Sequence, residues 1–237
     1  MSTLPPHDEP AAVAERYAQR VDDGRYDPLR PEVMLARQER ERALVRMLRR
    51  HLRRPLRELD VLEVGCGSGD NLLELLRLGA DPARLVGSEL LPVRADAARQ
   101  RLPAATAVHA GDAMALPFAA ASFDLVLQVT VFTSLLDDHF QQRLAERMWQ
   151  WVRPGGAVLW YDFAFDNPRN RHVRGVPMAR VRALFPQARI EARRVTLAPP
   201  LGRRAAALHP ALWRALNLLP LLRTHRLAWI GKPEAAR

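Results

Sequence analysis

The sequence predicts an α/β fold, a doubly wound and mostly parallel sheet of seven strands with helices on both faces. Three observations predict it. From Leu59 to Phe165 short Val- and Leu-rich runs alternate with helix-length segments, the rhythm of parallel strands joined by crossover helices. The first run ends directly in a glycine cluster, Gly65, Gly67 and Gly69. Two more apolar runs after Phe165 bring the strands to seven. With 237 residues, 48% hydrophobic and 26% charged, the chain can bury one sizeable core.

In chain order, the polar, proline-rich start carries a short helix around Ala11 to Arg20. A long helix follows Pro31 and runs through Leu52, with Val33, Ala36, Leu44, Met47 and Leu48 near one face, and Pro55 ends it. Leu59–Gly65 is almost continuously apolar, as a buried parallel strand is. Asn71–Gly79 reads as a helix closed by glycine. Ala83–Glu89 is a second strand, Pro92–Leu102 a helix opened by proline, and Thr106–Asp112 a third strand. Phe123–Val131 is the fourth strand, Asp137–Val152 an amphipathic helix, and Gly155–Phe163 the fifth strand. Beyond Phe165 the rhythm breaks. Asp166–Val176 is a polar loop, Val176–Phe185 a short helix, and Ala188–Ala198 a strand whose alternating polarity suits an edge. Pro199–Leu222 is helical between prolines, and Thr224–Gly231 is the last strand.

Composition narrows the function classes. A single cysteine, Cys66, excludes an intramolecular disulfide framework and a cysteine-rich zinc site. There is no apolar run of about 18 residues, and the first ten residues lack the pattern of an export signal. A cytoplasmic protein is expected. The net charge is +10, and Lys232 is the one lysine among 36 cations. From Val61 to Phe165 twelve acids face eight arginines. Arg37 to Arg57 holds nine arginines against Glu39 and Glu41, and Arg169 to Arg204 ten against Glu191. An acidic middle thus lies between two basic arms. These are either solvated faces of an arginine-rich chain or surfaces turned to an anionic substrate or the inner face of a membrane. The basic stretches lack interleaved aromatics, so nucleic acid is not the expected partner.

The most informative segment is Val61-Leu62-Glu63-Val64-Gly65-Cys66-Gly67-Ser68-Gly69. Glycines there let the backbone turn sharply and approach a ligand beside a helix N-terminus. The dinucleotide fingerprint G-x-G-x-x-G fails, because its third position is Asp70 or Leu72. The spelling E-x-G-x-G-x-G instead resembles class I S-adenosylmethionine-dependent methyltransferases of the small-molecule and glycan type, over about Leu59 to Asp162. That resemblance implies a Rossmann-like fold and S-adenosylmethionine as cofactor. It assigns the cofactor site to Glu63, Gly65, Cys66, Gly67 and Gly69 in the loop. It adds Glu89 and Leu90 at the end of the second strand, where a carboxylate takes both ribose hydroxyls. Asp112, Ala113 and Met114 would hold the adenine, and Gln128, Val129 and Phe132 would line the methionine end. Arg153-Pro154-Gly155-Gly156 matches the family's turn before the fifth strand. Cys66 lies inside the glycine loop as a small residue rather than a nucleophile. Gln128–Phe132 carries no N-P-P-Y or D-P-P-Y motif, which argues against methylation of DNA base amines.

Methyl transfer is an in-line displacement that mainly needs alignment and exclusion of water. A hydroxyl acceptor also benefits from a general base. His172, Asp162 and His139 are the candidates, with Asp166 beside them, and no metal cluster is visible. Arg169, Arg171 and Arg174 crowd the loop after the fifth strand, and the arginine fork suits phosphate or carboxylate. An anionic small-molecule, sugar or glycan acceptor is therefore expected, with RNA, protein or a non-catalytic scaffold as alternatives. The expected division is a helical lid over residues 1–58, carrying Tyr17 and Tyr26, a cofactor-binding core over 59–165, and a substrate loop with the last two strands over 166–237. The amphipathic stretch Leu201–Leu222, with Trp213, could lie on an anionic membrane or pack on the sheet.

Overall fold

The computed structural model describes residues 8–19, 24, 27–167 and 170–234. Its strands are β1 (Val61–Val64), β2 (Leu85–Glu89), β3 (Ala107–Ala110), β4 (Phe123–Val129), β5 (Val152–Phe163), β6 (Arg189–Leu197) and β7 (Arg223–Gly231). They form one sheet in the order β3-β2-β1-β4-β5-β7-β6. The first five are parallel, while β7 inserts antiparallel between β5 and β6. The predicted seven-stranded, mostly parallel sheet is therefore what forms, with β6 at an edge. Because β7 runs against both neighbours, β6 points the same way as β5. All the carboxyl ends of β1 to β6 thus share one rim.

The helices are α1 (Glu9–Ala18), α2 (Pro31–His51), α3 (Asp70–Arg77), α4 (Pro92–Arg101), α5 (Asp138–Trp151), α6 (Met178–Leu184), α7 (Pro199–Leu208) and α8 (Pro210–Asn217). Period-two alternation along the strands sends Val64, Val126, Val158 and Trp160 to one face, against Phe132, Phe140, Met148 and Trp151. Val61, Leu125, Leu127, Leu159, Tyr161 and Leu227 go to the other, against α2 and α3. Among the described residues no helix is long and apolar enough to cross a membrane.

Three expectations need correction. The long helix stops at His51, four residues before Pro55, with Leu52 already in extended conformation. Its buried face runs through Leu35, Glu39, Ala43, Leu44, Met47 and Leu48, whereas Val33 and Ala36 are only half-buried. Glu39 hides in the stripe because its carboxylate accepts the Thr196 N–H at 2.9 Å. Ala43, Leu44, Met47 and Leu48 of α2 pack in the core with β1, β2 and α3. The R-P-G-G segment is no separate turn either. It bulges inside β5, where the pairing with β4 jumps from Phe123↔Val152 to Leu125↔Ala157. Arg153 there bridges Asp60 and Asp124 at 2.8 Å each.

In the basic arm from Arg37 to Arg57, five of the nine arginines pair with acids within the fold. Arg37 pairs with Asp70, Arg40 with Glu74, Arg50 with Glu191, Arg54 with Asp124 and Arg57 with Glu58.

Candidate cofactor and acceptor site

β1 is fully buried and delivers the chain to the rim, where Gly65, Gly67 and Gly69 have φ of +69°, +55° and +86°. At Gly65 the lack of a side chain is also a matter of space, since a Cβ would lie 2.5 Å from Val131 Cγ2. A Cβ at Gly67 or Gly111 would meet nothing within 4 Å. The loop backbone therefore fronts open space at the rim. Cys66 turns inward, 3% exposed, into room left by Gly87. Burial beside the Glu63 and Glu89 carboxyls pushes its thiol up, away from the reactive thiolate.

Glu89 closes β2 and faces the loop. One oxygen accepts the Gly67 N–H at 2.8 Å and the other accepts the Leu91 N–H at 3.0 Å. Each oxygen keeps a further lone pair. Asp112 caps the short turn Ala113–Ala115 through the Met114 N–H at 2.9 Å, and the Glu89 carbonyl accepts the Gly111 N–H at 2.8 Å. The ends of β1, β2 and β3 are thereby fixed to one another. Glu63 lies beneath the loop and accepts from Asn71 Nδ2 at 2.6 Å. Burial pushes its carboxyl up to about 8, against the pull of Asn71 and Arg40, so it is neutral at pH 7.

At the end of β4 the chain turns through Thr130, at φ +59°, into the short turn Phe132–Ser134. Gln128 and Phe132 prop this turn. Gln128 is wholly buried, with its Oε1 accepting the Val131 N–H at 3.0 Å. Phe132 is equally buried, 4.5 Å from the Trp160 ring. Only Val129 of the three remains partly exposed.

The candidate bases sit in different settings. Asp162 is fully buried, and its oxygens accept the Thr133 and Phe163 N–H groups at 3.1 and 2.9 Å. Burial raises its pKa to about 7 against those hydrogen bonds. It ties β5 to the turn. His139 is exposed on the first turn of α5. His172 is half-buried in the loop after β5, where its N–H donates to Asn170 Oδ1 at 3.1 Å.

That loop is stapled at its neck. Asp166 accepts the Gly175 N–H at 2.8 Å, and Gly175 packs so close to Phe165 that a Cβ would fall 2.3 Å from its carbonyl carbon. Arg174 is tied to its surroundings. Its guanidinium pairs with Asp138, and its backbone bonds Thr133 in both directions. Arg171 is exposed, and Arg169 lies outside the described residues, as does Tyr26.

α1 crosses the rim above these ends. The Glu9 carboxylate accepts the Leu136 N–H at 2.7 Å and pairs with Arg16, whose guanidinium donates to the Ser134 carbonyl at 2.9 Å. The Arg94 guanidinium lies 5.0 Å over the Tyr17 ring. The helix thus bridges the end of β4 and the start of α4.

Residues 61–156 match a family of known proteins described as a methyltransferase domain. Together with the rim geometry and the sheet order, this decides the family. The chain carries a class I S-adenosylmethionine-dependent methyltransferase domain. The domain is similar over 106 residues, at 38% identity, to the demethylmenaquinone methyltransferase of Deinococcus radiodurans, covering 44% of this chain and 42% of that one. It is also 38% identical over 109 residues to a phthiotriol/phenolphthiotriol dimycocerosates methyltransferase of Mycobacterium ulcerans, covering 45% of this chain and 38% of that one. The chain thus spans about two fifths of the length of these relatives. Its fold resembles geranyl diphosphate C-methyltransferase of Streptomyces coelicolor, with a TM-score of 0.64 and 15% identity over 98% of this chain and all of that one.

S-adenosylmethionine is the cofactor of this domain family, and the donor set at the rim suits it: a carboxylate for vicinal hydroxyls, glycine backbone for close approach, and open space above. The sequence reading missed an interior polar group under α2. Tyr161 Oη meets Thr196 Oγ1 at 2.8 Å and stacks on His225 at 4.9 Å. Burial first, and then Arg40, lower the pKa of His225 to about 3, so it is neutral. The period-two pattern His225, Leu227, Trp229 is the signal that placed it on a buried face.

Proposed function

We propose that this chain transfers the methyl group of S-adenosylmethionine to a small-molecule acceptor, most simply to an oxygen. The observation that carries the reading is Glu89, held by the Gly67 and Leu91 N–H groups with lone pairs still free at the rim. In this reading Glu89 takes the ribose hydroxyls, while Asp112, Ala113 and Met114 hold the adenine. Gly65, Cys66, Gly67 and Gly69 pass beneath the methionine part, with Glu63, Leu90 and Val129 at its margins. The bound cofactor supplies an activated methyl group on a sulfonium.

The protein's part is alignment and exclusion of water. α1 roofs the rim, and Asp162, through Thr133, fixes the turn that separates cofactor from acceptor. The imidazole of His172, half-buried at the mouth, takes the acceptor's hydroxyl proton. Arg171, exposed on the loop, and its neighbours Arg169 and Arg174 are the arginines that would meet an anionic group. The named acceptors of the two relatives, demethylmenaquinone and the phthiotriol dimycocerosates, support a small-molecule acceptor over RNA or protein.

The test is transfer from methyl-labelled S-adenosylmethionine to a panel of hydroxylated acceptors, with and without acidic groups. The wild type should label one class, and His172→Ala should lower kcat by about a hundredfold or more with little change in cofactor KM. Labelling of no acceptor class, or an unchanged kcat in His172→Ala, would contradict this reading.

A further inference from the structure

The connector between β6 and β7 is built inside out. Its inward face is small: Gly202, Ala205 and Ala206 are buried with Trp213 against Leu35 and Leu197. Gly202 sits there because a Cβ would come within 3.0 Å of the Trp213 ring nitrogen. Trp213 turns inward with Leu216 and Leu222 beside it, whereas most of the leucines point outward. Leu208, Leu218 and Leu221 are 78%, 76% and 84% exposed, with Leu201, Leu212 and Leu219 also exposed. An ordinary surface helix reverses that pattern. Scattered exposed leucines need no explanation, but six within 21 residues on one connector do.

Charge says what covers them. From Ala192 to Pro233 the chain has no acidic residue and eight basic ones. Arg203, Arg204 and Arg214 are exposed among the leucines. A second copy docking through the same face would set these arginines against their equals. Leucines interleaved with arginines, without acids, suit the headgroup and upper acyl region of an anionic bilayer.

Position gives this surface a use. Val129 pairs with Tyr161, and Tyr161 with Leu227, so the end of β4 is level with Leu227. β7 begins four residues earlier, at Arg223, where it pairs with Leu197. At strand rise the connector therefore leaves the sheet roughly 14 Å beyond the end of β4, on the rim that carries the glycine loop. Phe165, 50% exposed at the end of β5 under the Arg194 guanidinium, lies on the same side.

We propose that the α7–α8 connector is a docking surface for an anionic membrane, which sets the rim of the domain facing the lipid headgroups. Acceptors would then enter from the interface. That consequence rests on the proposed activity, whereas membrane binding itself does not.

The experiment is co-sedimentation of the full chain with phosphatidylcholine vesicles, with and without phosphatidylglycerol. The wild type should sediment only with the anionic vesicles, and less as salt rises. Arg203→Gln, Arg204→Gln and Arg214→Gln together should weaken binding roughly a hundredfold. Leu218→Ser, Leu219→Ser and Leu221→Ser together should abolish it at every salt concentration. All six side chains are exposed, so S-adenosylhomocysteine binding should be unchanged in both variants and separates loss of docking from loss of the fold or the cofactor site. A wild type that ignores anionic vesicles would overturn the proposal. So would a leucine variant that still binds, or light scattering that shows a dimer dispersed by the leucine changes.

Discussion

Gly65→Ala is the sharpest perturbation of the glycine loop, and its cost can be worked from two separate causes. At φ +69° an alanine sits in the left-handed region, at a cost of roughly 1–2 kcal/mol. The new Cβ would also lie 2.5 Å from Val131 Cγ2, about 1 Å inside normal contact. Overpacking of that kind costs about 1–3 kcal/mol. Together the substitution should destabilise by about 2–5 kcal/mol, or lower Tm by about 4–20 °C for a chain of this size. Val131→Ala removes the clashing methyl while leaving the Val131 N–H on Gln128. The double variant should therefore recover the steric part and keep the conformational part. Urea denaturation of the four proteins in the cycle measures this as a coupling of about 1–3 kcal/mol between the sites. Effects additive to within about 0.5 kcal/mol would show that the loop and the turn after β4 do not press on each other, and would refute the reasoning.

Two further predictions concern buried acids. Glu63 titrates near 8 in the fold and near 4.5 when unfolded, so between those values the folded chain holds a proton that the unfolded chain has lost. Its contribution to stability should therefore fall as pH rises through that window, by at most about 1.4 kcal/mol per pH unit. Urea unfolding at pH 5 and pH 8 should show Glu63→Gln gaining on the wild type at the higher pH, and a difference that does not change with pH would contradict it. Cys66, buried with its thiol pushed up, should resist alkylation at pH 8 and react fully in urea. Rapid labelling of the native protein would place the thiol in the open.

Much of the sheet was legible because each buried strand carries its own signal, a glycine- or proline-bounded apolar run. The direction of β7 was not. Thr224–Gly231 reads as a strand either way, and only pairing with β5 and β6 makes it antiparallel. α2 was misjudged because Glu39 occupies the centre of its buried stripe, where a charge normally marks the solvent face; a long-range bond to Thr196 offsets the cost.

In the site, the glycine loop and Glu89 were readable because backbone freedom and a carboxylate at a strand end are local properties. The packing of Phe132 and the pairing of Arg174 were not, because each is set by a partner distant in sequence. For Phe132 that partner is Trp160, and for Arg174 it is Asp138. The amphipathic character of Leu201–Leu222 was readable, but not which of its leucines turn outward. Which face docks is decided by Trp213 needing the space over Gly202.

The central claim is that the rim formed by the glycine loop and Glu89 binds S-adenosylmethionine. Calorimetric titration with S-adenosylhomocysteine tests it most directly, with Glu89→Ala alongside and NADH as control. The account predicts saturable single-site binding, at least about tenfold weaker without the Glu89 carboxylate's hydrogen bonds, and no NADH binding. A folded wild type that binds no S-adenosylhomocysteine, or a Glu89→Ala variant that binds it equally well, would contradict the account.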